Sequence, residues 1–128
     1  MQIGTDDNFL CIESSPLEGG YPAFRIEAVA TASGGRFTAS HDELIMNTDE
    51  GTLRRFADFE SLKSEQIEIP ITEGGWLRLQ RDSPGYIKVR YRIGGWKASA
   101  AMEGEVVIDG EYASRFCREF GAFLLGQR

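Results

Sequence analysis

Two stretches near the middle of the chain, WLRLQR (Trp76 to Arg81) and YIKVRYRI (Tyr86 to Ile93), alternate between apolar and polar residues. Successive Cβ atoms of a strand point to opposite sides of a sheet, so this period of two fits strands with one buried face. If Leu77, Leu79, Ile87, Val89, Tyr91 and Ile93 face a core, alternation sets the opposite face. It carries Trp76, Arg78, Gln80, Tyr86, Lys88, Arg90 and Arg92. A third segment, WKASAAM (Trp96 to Met102), adds Lys97 to that face if Trp96 points inward. The links Asp82-Ser83-Pro84-Gly85 and Gly94-Gly95 are turn chemistry, which makes the three segments an antiparallel meander. Gly-Gly-Trp occurs at 74–76 and again at 94–96, each time as a turn followed by the first residue of a strand. LRLQ after one tryptophan and KASA after the other share no pattern, so the recurrence is punctuation and not a repeat.

The elements on either side follow from the same reasoning. FLCIES (Phe9 to Ser14) reads as a short strand, and PLEGGYP as a loop. AFRIEAVAT alternates with Phe24, Ile26, Ala28 and Ala30 on one face, and Ser33-Gly34-Gly35 turns it into RFTAS as a hairpin. After DELIMN the period changes. Thr48 is placed to cap a helix from Asp49 to Lys63, with Leu53, Phe56, Phe59 and Leu62 as its core stripe. In QIEIPI the three isoleucines point inward, and Pro70, which cannot donate to a ladder, marks an edge strand or a bulge. At the tail, Asp109-Gly110-Glu111 caps a second helix. Its apolar positions are Tyr112, Phe116, Phe120, Phe123 and Leu124, with Ala113 and Cys117 beside them. The expected fold is a single α+β domain. A curved antiparallel sheet, built of meander and hairpin, carries one middle helix and a C-terminal helix packed across it, and a small closed barrel is the alternative.

At 128 residues and 41% hydrophobic, the chain is long enough for a core without disulfide staples. No run is long and apolar enough for a membrane span, and the start, MQIGTDDNFL, lacks the regions of a signal peptide, so a cytoplasmic location is expected. The two cysteines, Cys11 and Cys117, are far apart without metal-ligand spacing. They read as reduced, buried small hydrophobes.

Net charge is −6 and uneven: residues 74–97 carry +5 and the remainder −11. An acidic chain repels phosphate over most of its surface, so nucleic acid is not the expected partner. The basic face, with Trp76, Arg78, Tyr86, Lys88, Arg90, Arg92 and Lys97, nevertheless stands out. Cations interleaved with aromatics could stack and neutralise a single strand, or dock an acidic protein. The ordinary alternative is a solvated face balanced by acidic neighbours, with Glu68 and either Glu13 or Glu27 as candidates.

Catalytic chemistry is unmotivated. His41 is the only histidine and sits in the polar stretch SHDE, so metal clusters and nucleophile–base pairs would all depend on it. The carboxylate pairs Asp6/Asp7, Asp42/Glu43 and Asp49/Glu50 are adjacent in sequence, which is not the facing geometry of acid–base catalysis. The glycine pairs lack phosphate-loop spacing. No cofactor and no metal are expected.

The order of these elements resembles that of the WapI-type immunity proteins of bacterial polymorphic toxin systems, and of small bacterial domain families with the same plan and no assigned function. The likeness spans Asp7 to Gly126. It rests on AFRIEAVA…GGRFTAS, ELIMNTDEGTLRRFADF, GGWLRLQR…YIKVRYRI and VVIDGEYASRFCREFGAFL. The resemblance implies a non-enzymatic cytoplasmic protein that neutralises a cognate toxin by occluding it. On that reading the acids Asp42, Glu43, Asp49 and Glu50 would meet a basic toxin surface. The alternative is a nucleic-acid or small-ligand module using the basic face at residues 76–97. Monomer and homodimer are both compatible with the sequence.

Overall fold

The segments Gln66–Pro70, Trp76–Arg81 and Ile87–Gly94 alternate between buried and more exposed residues as expected, and the eight strands described fall into two sheets. The computed structural model describes residues 1–82, 85–95 and 100–128. Strands β1 (Gln2–Gly4), β2 (Asn8–Ser14), β3 (Phe24–Ala32) and β4 (Gly35–Leu44) form one four-stranded sheet in that order. Strands β5 (Gln66–Pro70), β6 (Trp76–Arg81), β7 (Ile87–Gly94) and β8 (Ala101–Ile108) form the other. Every neighbouring pair is antiparallel, which gives the expected α+β class with its strands divided between two sheets. The sheets join at a corner beyond β4, where Met46 bridges Ile71, Asn47 N–H donates to the Pro70 carbonyl at 3.2 Å, and Thr72 N–H to that of Ile45 at 3.0 Å. They meet again where β1 lies beside β8 and the Asn8 amide donates to the Glu105 carbonyl at 3.3 Å.

Leu77, Leu79, Ile87, Val89, Tyr91 and Ile93 are all buried, as are Ile67, Ile69 and Ile71. Strand β5 lies at the edge of its sheet, as Pro70 requires. Helix α2 (Ala113–Gly126) buries Ala113, Phe116, Cys117, Phe120 and Leu124 in the same core, and helix α1 (Glu50–Glu60) buries Thr52, Phe56 and Phe59. Among the described residues no helix is long and apolar enough to cross a membrane.

Several boundaries differ from expectation. Helix α1 is capped by Asp49, whose carboxylate accepts the Thr52 N–H at 2.7 Å. The Thr48 hydroxyl instead donates to the Gln127 carbonyl at 3.2 Å. The helix stops at Glu60, not Lys63, because Leu62 adopts a left-handed conformation (φ 68°). Lys63 N–H then reaches back to the Asp58 carbonyl at 2.8 Å and Leu62 N–H to that of Phe59 at 3.3 Å, the double closure of a Schellman end. Leu62 is thereby thrown outward, 71% exposed, and leaves the core stripe. Tyr112 belongs to a 3-10 turn (Gly110–Tyr112) ahead of α2 and is exposed. Strand β4 runs through SHDE, so His41, Asp42 and Glu43 are strand residues. The third meander strand starts at Ala101 and takes in Glu103, Glu105 and Val106 to Ile108. Residues 96–99, with Trp96 and Lys97, lie outside the described residues.

The pairing of Tyr91 with Gly104 explains a glycine inside β8. A Cβ at Gly104 would collide with the Tyr91 ring and hydroxyl, and Tyr91 has no exposed surface into which it could retreat. The same ring leaves its hydroxyl buried without a hydrogen-bond partner, and burial raises its pKa. Gly104→Ala is therefore expected to cost about 1–3 kcal/mol by overpacking. Tyr91→Phe, which removes an unsatisfied polar group, should be neutral or stabilising by about 1 kcal/mol in urea unfolding. Leu62→Gly should stabilise by roughly 0.5–1 kcal/mol in the same measurement, since glycine adopts the left-handed end of α1 without strain and no packing is lost. An unchanged midpoint for Gly104→Ala, or a lower one for Leu62→Gly, would refute these assignments.

Candidate functional site

The outward face of the meander is a lattice of opposed charges. Register sets Glu68, Arg78, Arg90 and Glu105 in one row across β5, β6, β7 and β8, and places Trp76, Arg92 and Glu103 in a second. Arg78 and Arg90 stand directly opposite each other, an unfavourable pairing by itself. It is flanked by carboxylates on both sides. Arg78 Nε lies 2.7 Å from Glu68 Oε1, and Arg90 Nε 3.7 Å from Glu105 Oε1. Arg92 meets Glu103 at 2.6 Å, and Lys88 meets Asp82 at 3.1 Å. The guanidinium of Arg78 lies 3.7 Å from the ring centroid of half-buried Trp76. It thus occupies the aromatic face that a stacked base would need.

The structure therefore gathers Trp76, Arg78, Lys88, Arg90 and Arg92 on one surface, with half-buried Tyr86 just before β7, while Lys97 lies outside the described residues. Their four cations are matched by Glu68, Asp82, Glu103 and Glu105, so this set carries no net charge. Glu68 is one of the acidic neighbours expected from sequence. Glu13 and Glu27 are not, because they belong to β2 and β3 of the other sheet, where Glu27 bonds Arg25 at 3.5 Å. The contribution of Glu103 and Glu105 was visible in the alternation of MEGEVVI, once that segment is taken as a strand.

The acidic candidates divide between two elements. Asp42 and Glu43 sit together opposite the single residue Arg25, where the β3–β4 register shifts, and Glu43 takes a left-handed φ of 59°. That is a bulge, and it interrupts the ladder, which resumes with Phe24 against Leu44. Asp42 Oδ1 is 3.5 Å from Arg25 Nε. Asp49 and Glu50 begin α1. The Thr52 N–H holds the Asp49 carboxyl below the usual carboxylate range, so the cap contributes stability above that range and loses it as pH falls through the Asp49 pKa. All four acids are exposed, but Asp49 is committed to the helix cap.

His41 is half-buried, with Nδ1 at 2.9 Å from the Asp42 carbonyl. Both thiols are free, and burial pushes both up, Cys11 with help from Glu13 and Cys117 against the opposing effect of Arg81. Both are thereby less nucleophilic than an ordinary cysteine. Among the described residues no cluster of three metal-ligating side chains forms.

Among the described residues, the surface grooves include two that bear on these elements. One of about 410 Å³ lies between β1, the end of β8 and α2, with Tyr112, Arg115 and Glu119 on its wall. The other, about 640 Å³, separates the β3–β4 hairpin from the start of β8 and is lined by Arg36, Phe37, Thr38, Met102 and Glu103. Sequence reasoning placed RFTAS as the second arm of the hairpin but missed that this strand, β4, continues through SHDE and is widely exposed. Among the described residues it pairs with β3 alone, and from Gly35 to Glu43 only Ala39 and His41 are not fully exposed. No family model, curated protein or solved structure matches this chain.

If the glutamates offset the Arg78–Arg90 pairing, the double substitution Glu68→Gln/Glu105→Gln should destabilise by up to about 1 kcal/mol at low salt, with the loss shrinking as salt rises. Urea unfolding at two ionic strengths measures it. Equal stability of variant and wild type at low salt would mean the lattice is incidental.

Proposed function

We propose that this chain is a non-catalytic protein-binding domain of immunity type, acting in the cytoplasm to neutralise a toxin by covering a basic surface on it. The observation that carries the reading is the distribution of charge. Four cations of the only strongly basic stretch of the sequence, Arg78, Lys88, Arg90 and Arg92, are matched by four carboxylates of the same face, so the net −6 of the chain lies outside that set. An acidic surface of this kind attracts a basic partner over several ångströms and speeds encounter without requiring a pocket. Asp42, Glu43 and Glu50 are the exposed acids assigned to this contact. Asp49, spent on the helix cap, serves it indirectly.

The basic face is the weaker ligand site on the same grounds. Among the described residues of this face, a phosphate chain would have to displace Glu68, Asp82, Glu103 and Glu105 from Arg78, Lys88, Arg92 and Arg90, and prise Arg78 from Trp76.

The test is affinity capture from the source cells with and without nuclease treatment, followed by an activity assay of the captured partner. The expected result is a basic, nuclease-insensitive protein that the wild type inhibits. Asp42→Lys/Glu43→Lys/Glu50→Lys should slow association about tenfold or more, with the wild-type rate falling as salt increases. Recovery of nucleic acid, or a partner whose binding ignores both the triple variant and salt, overturns the proposal.

A further inference from the structure

The free edge of β4 is built in a way that the free edge of β5 is not. Strand β5 is short, contains Pro70, and is closed at its end by the Met46–Ile71 bridge. Strand β4 runs from Gly35 to Leu44 without proline, lysine or bulge until Asp42, and offers an open row of peptide groups. Long edges left in this state pair with other strands unless something prevents it.

Which groups are open follows from the turn. Ala32 pairs with Gly35 across Ser33-Gly34, and no further pair fits inside that loop. The closing residues must therefore exchange both hydrogen bonds with each other. Alternation then gives Phe37, Ala39 and His41 to the ladder with β3. The N–H and C=O groups of Arg36, Thr38 and Ser40 point away from β3.

We propose that β4 pairs antiparallel with β4 of a second copy of this chain, about a twofold axis at Ala39, joining the two β1–β4 sheets into one. An antiparallel ladder needs outward groups to meet outward groups, which restricts the symmetric registers to a few. The register centred on Ala39 sets Thr38 against Ser40 of the second copy, Phe37 against His41, and Arg36 against Asp42. Opposite charges thus fall across from each other twice by symmetry, and Arg36, Thr38, Ser40 and Asp42 share the outward face. Phe37, 59% exposed in the single chain, gains an aromatic neighbour on the other face. The bulge at Asp42–Glu43 terminates the ladder. At the far side of the sheet β1 is three residues long and lies beside β8, so the assembly closes as a dimer and does not propagate.

Sedimentation velocity on the full chain tests this with no other partner present, so its outcome is independent of the toxin reading. The wild type should be a concentration-dependent dimer. Thr38→Pro removes an outward N–H and no bond to β3, and should weaken the dimer at least about tenfold while circular dichroism stays unchanged. Arg36→Asp and Asp42→Arg should each weaken it, and the double exchange should restore it. Amide exchange gives a second readout that needs no variant: the Thr38 and Ser40 amides should be protected in concentrated samples and lose protection on dilution. A chain that stays monomeric to its solubility limit, a dimer that a folded Thr38→Pro variant leaves intact, or exchange at Thr38 and Ser40 that ignores concentration would each overturn the proposal.

Discussion

Phe120 has no exposed surface and packs against Phe56 of α1 at 5.4 Å, Phe116 at 5.5 Å and Phe123 at 6.2 Å between ring centroids. Phe123 in turn meets Phe24 of β3 edge-on at 5.7 Å. This run of rings fastens both helices to the first sheet. The second sheet is tied to the helices by Arg81, which leaves the end of β6 to donate to the Phe59 carbonyl at 3.0 and 3.1 Å and lies over the Phe59 ring. The sheets meet at the Met46–Ile71 corner, where β4 nears β7, and where β1 and β2 near β8, and side chains of both sheets and both helices share one core. Aromatic pairs add about 0.5–1.5 kcal/mol each beyond burial, and here they are consecutive links of one core.

The same arrangement explains why α1 ends where it does. Its last carbonyls are claimed by the guanidinium of Arg81, and its last turn folds back through a left-handed leucine. A helix running on to Lys63 would have no such closure and would carry Leu62 past the ring cluster. The cost of a non-glycine residue in that conformation is about 1–2 kcal/mol, small against the packing of Phe56 and Phe59 that it permits.

Where the sequence was legible, one periodicity sufficed. The inward faces of β5, β6 and β7 follow from alternation alone, because a one-residue slip would expose every isoleucine and leucine at once. The aromatic stripe of α2 follows from spacing in the same way. Legibility failed where the decisive partner was distant in the chain. Nothing local to Asp49 or Thr48 says which of two good caps will be used. The choice depends on Gln127, which takes the Thr48 hydroxyl. Polar SHDE looks like a loop, yet an edge strand exposed on most of its length needs no apolar pattern, and β4 is held by its ladder to β3. The basic stripe looked like a binding face because its counter-charges, Glu103 and Glu105, come from a strand whose start was misplaced.

That last correction reorganises the candidate surfaces. The two sheets answer the same physical problem, a solvated outward face, in different ways. The meander covers its face with charge pairs whose members come from all of its strands, so that binding anything there first means breaking them. Among the described residues the β1–β4 sheet has one ion-paired group, Arg25 with Glu27 and Asp42, and ends in a strand whose outward peptide groups are open. Pairing that edge with a strand breaks no backbone hydrogen bond among the described residues and asks only Asp42 to share its contact with Arg25, while water is released from groups already aligned. The meander's outward charges are thus mostly spent on one another, whereas the open peptide groups of the first sheet lie along β4, up to the acidic bulge.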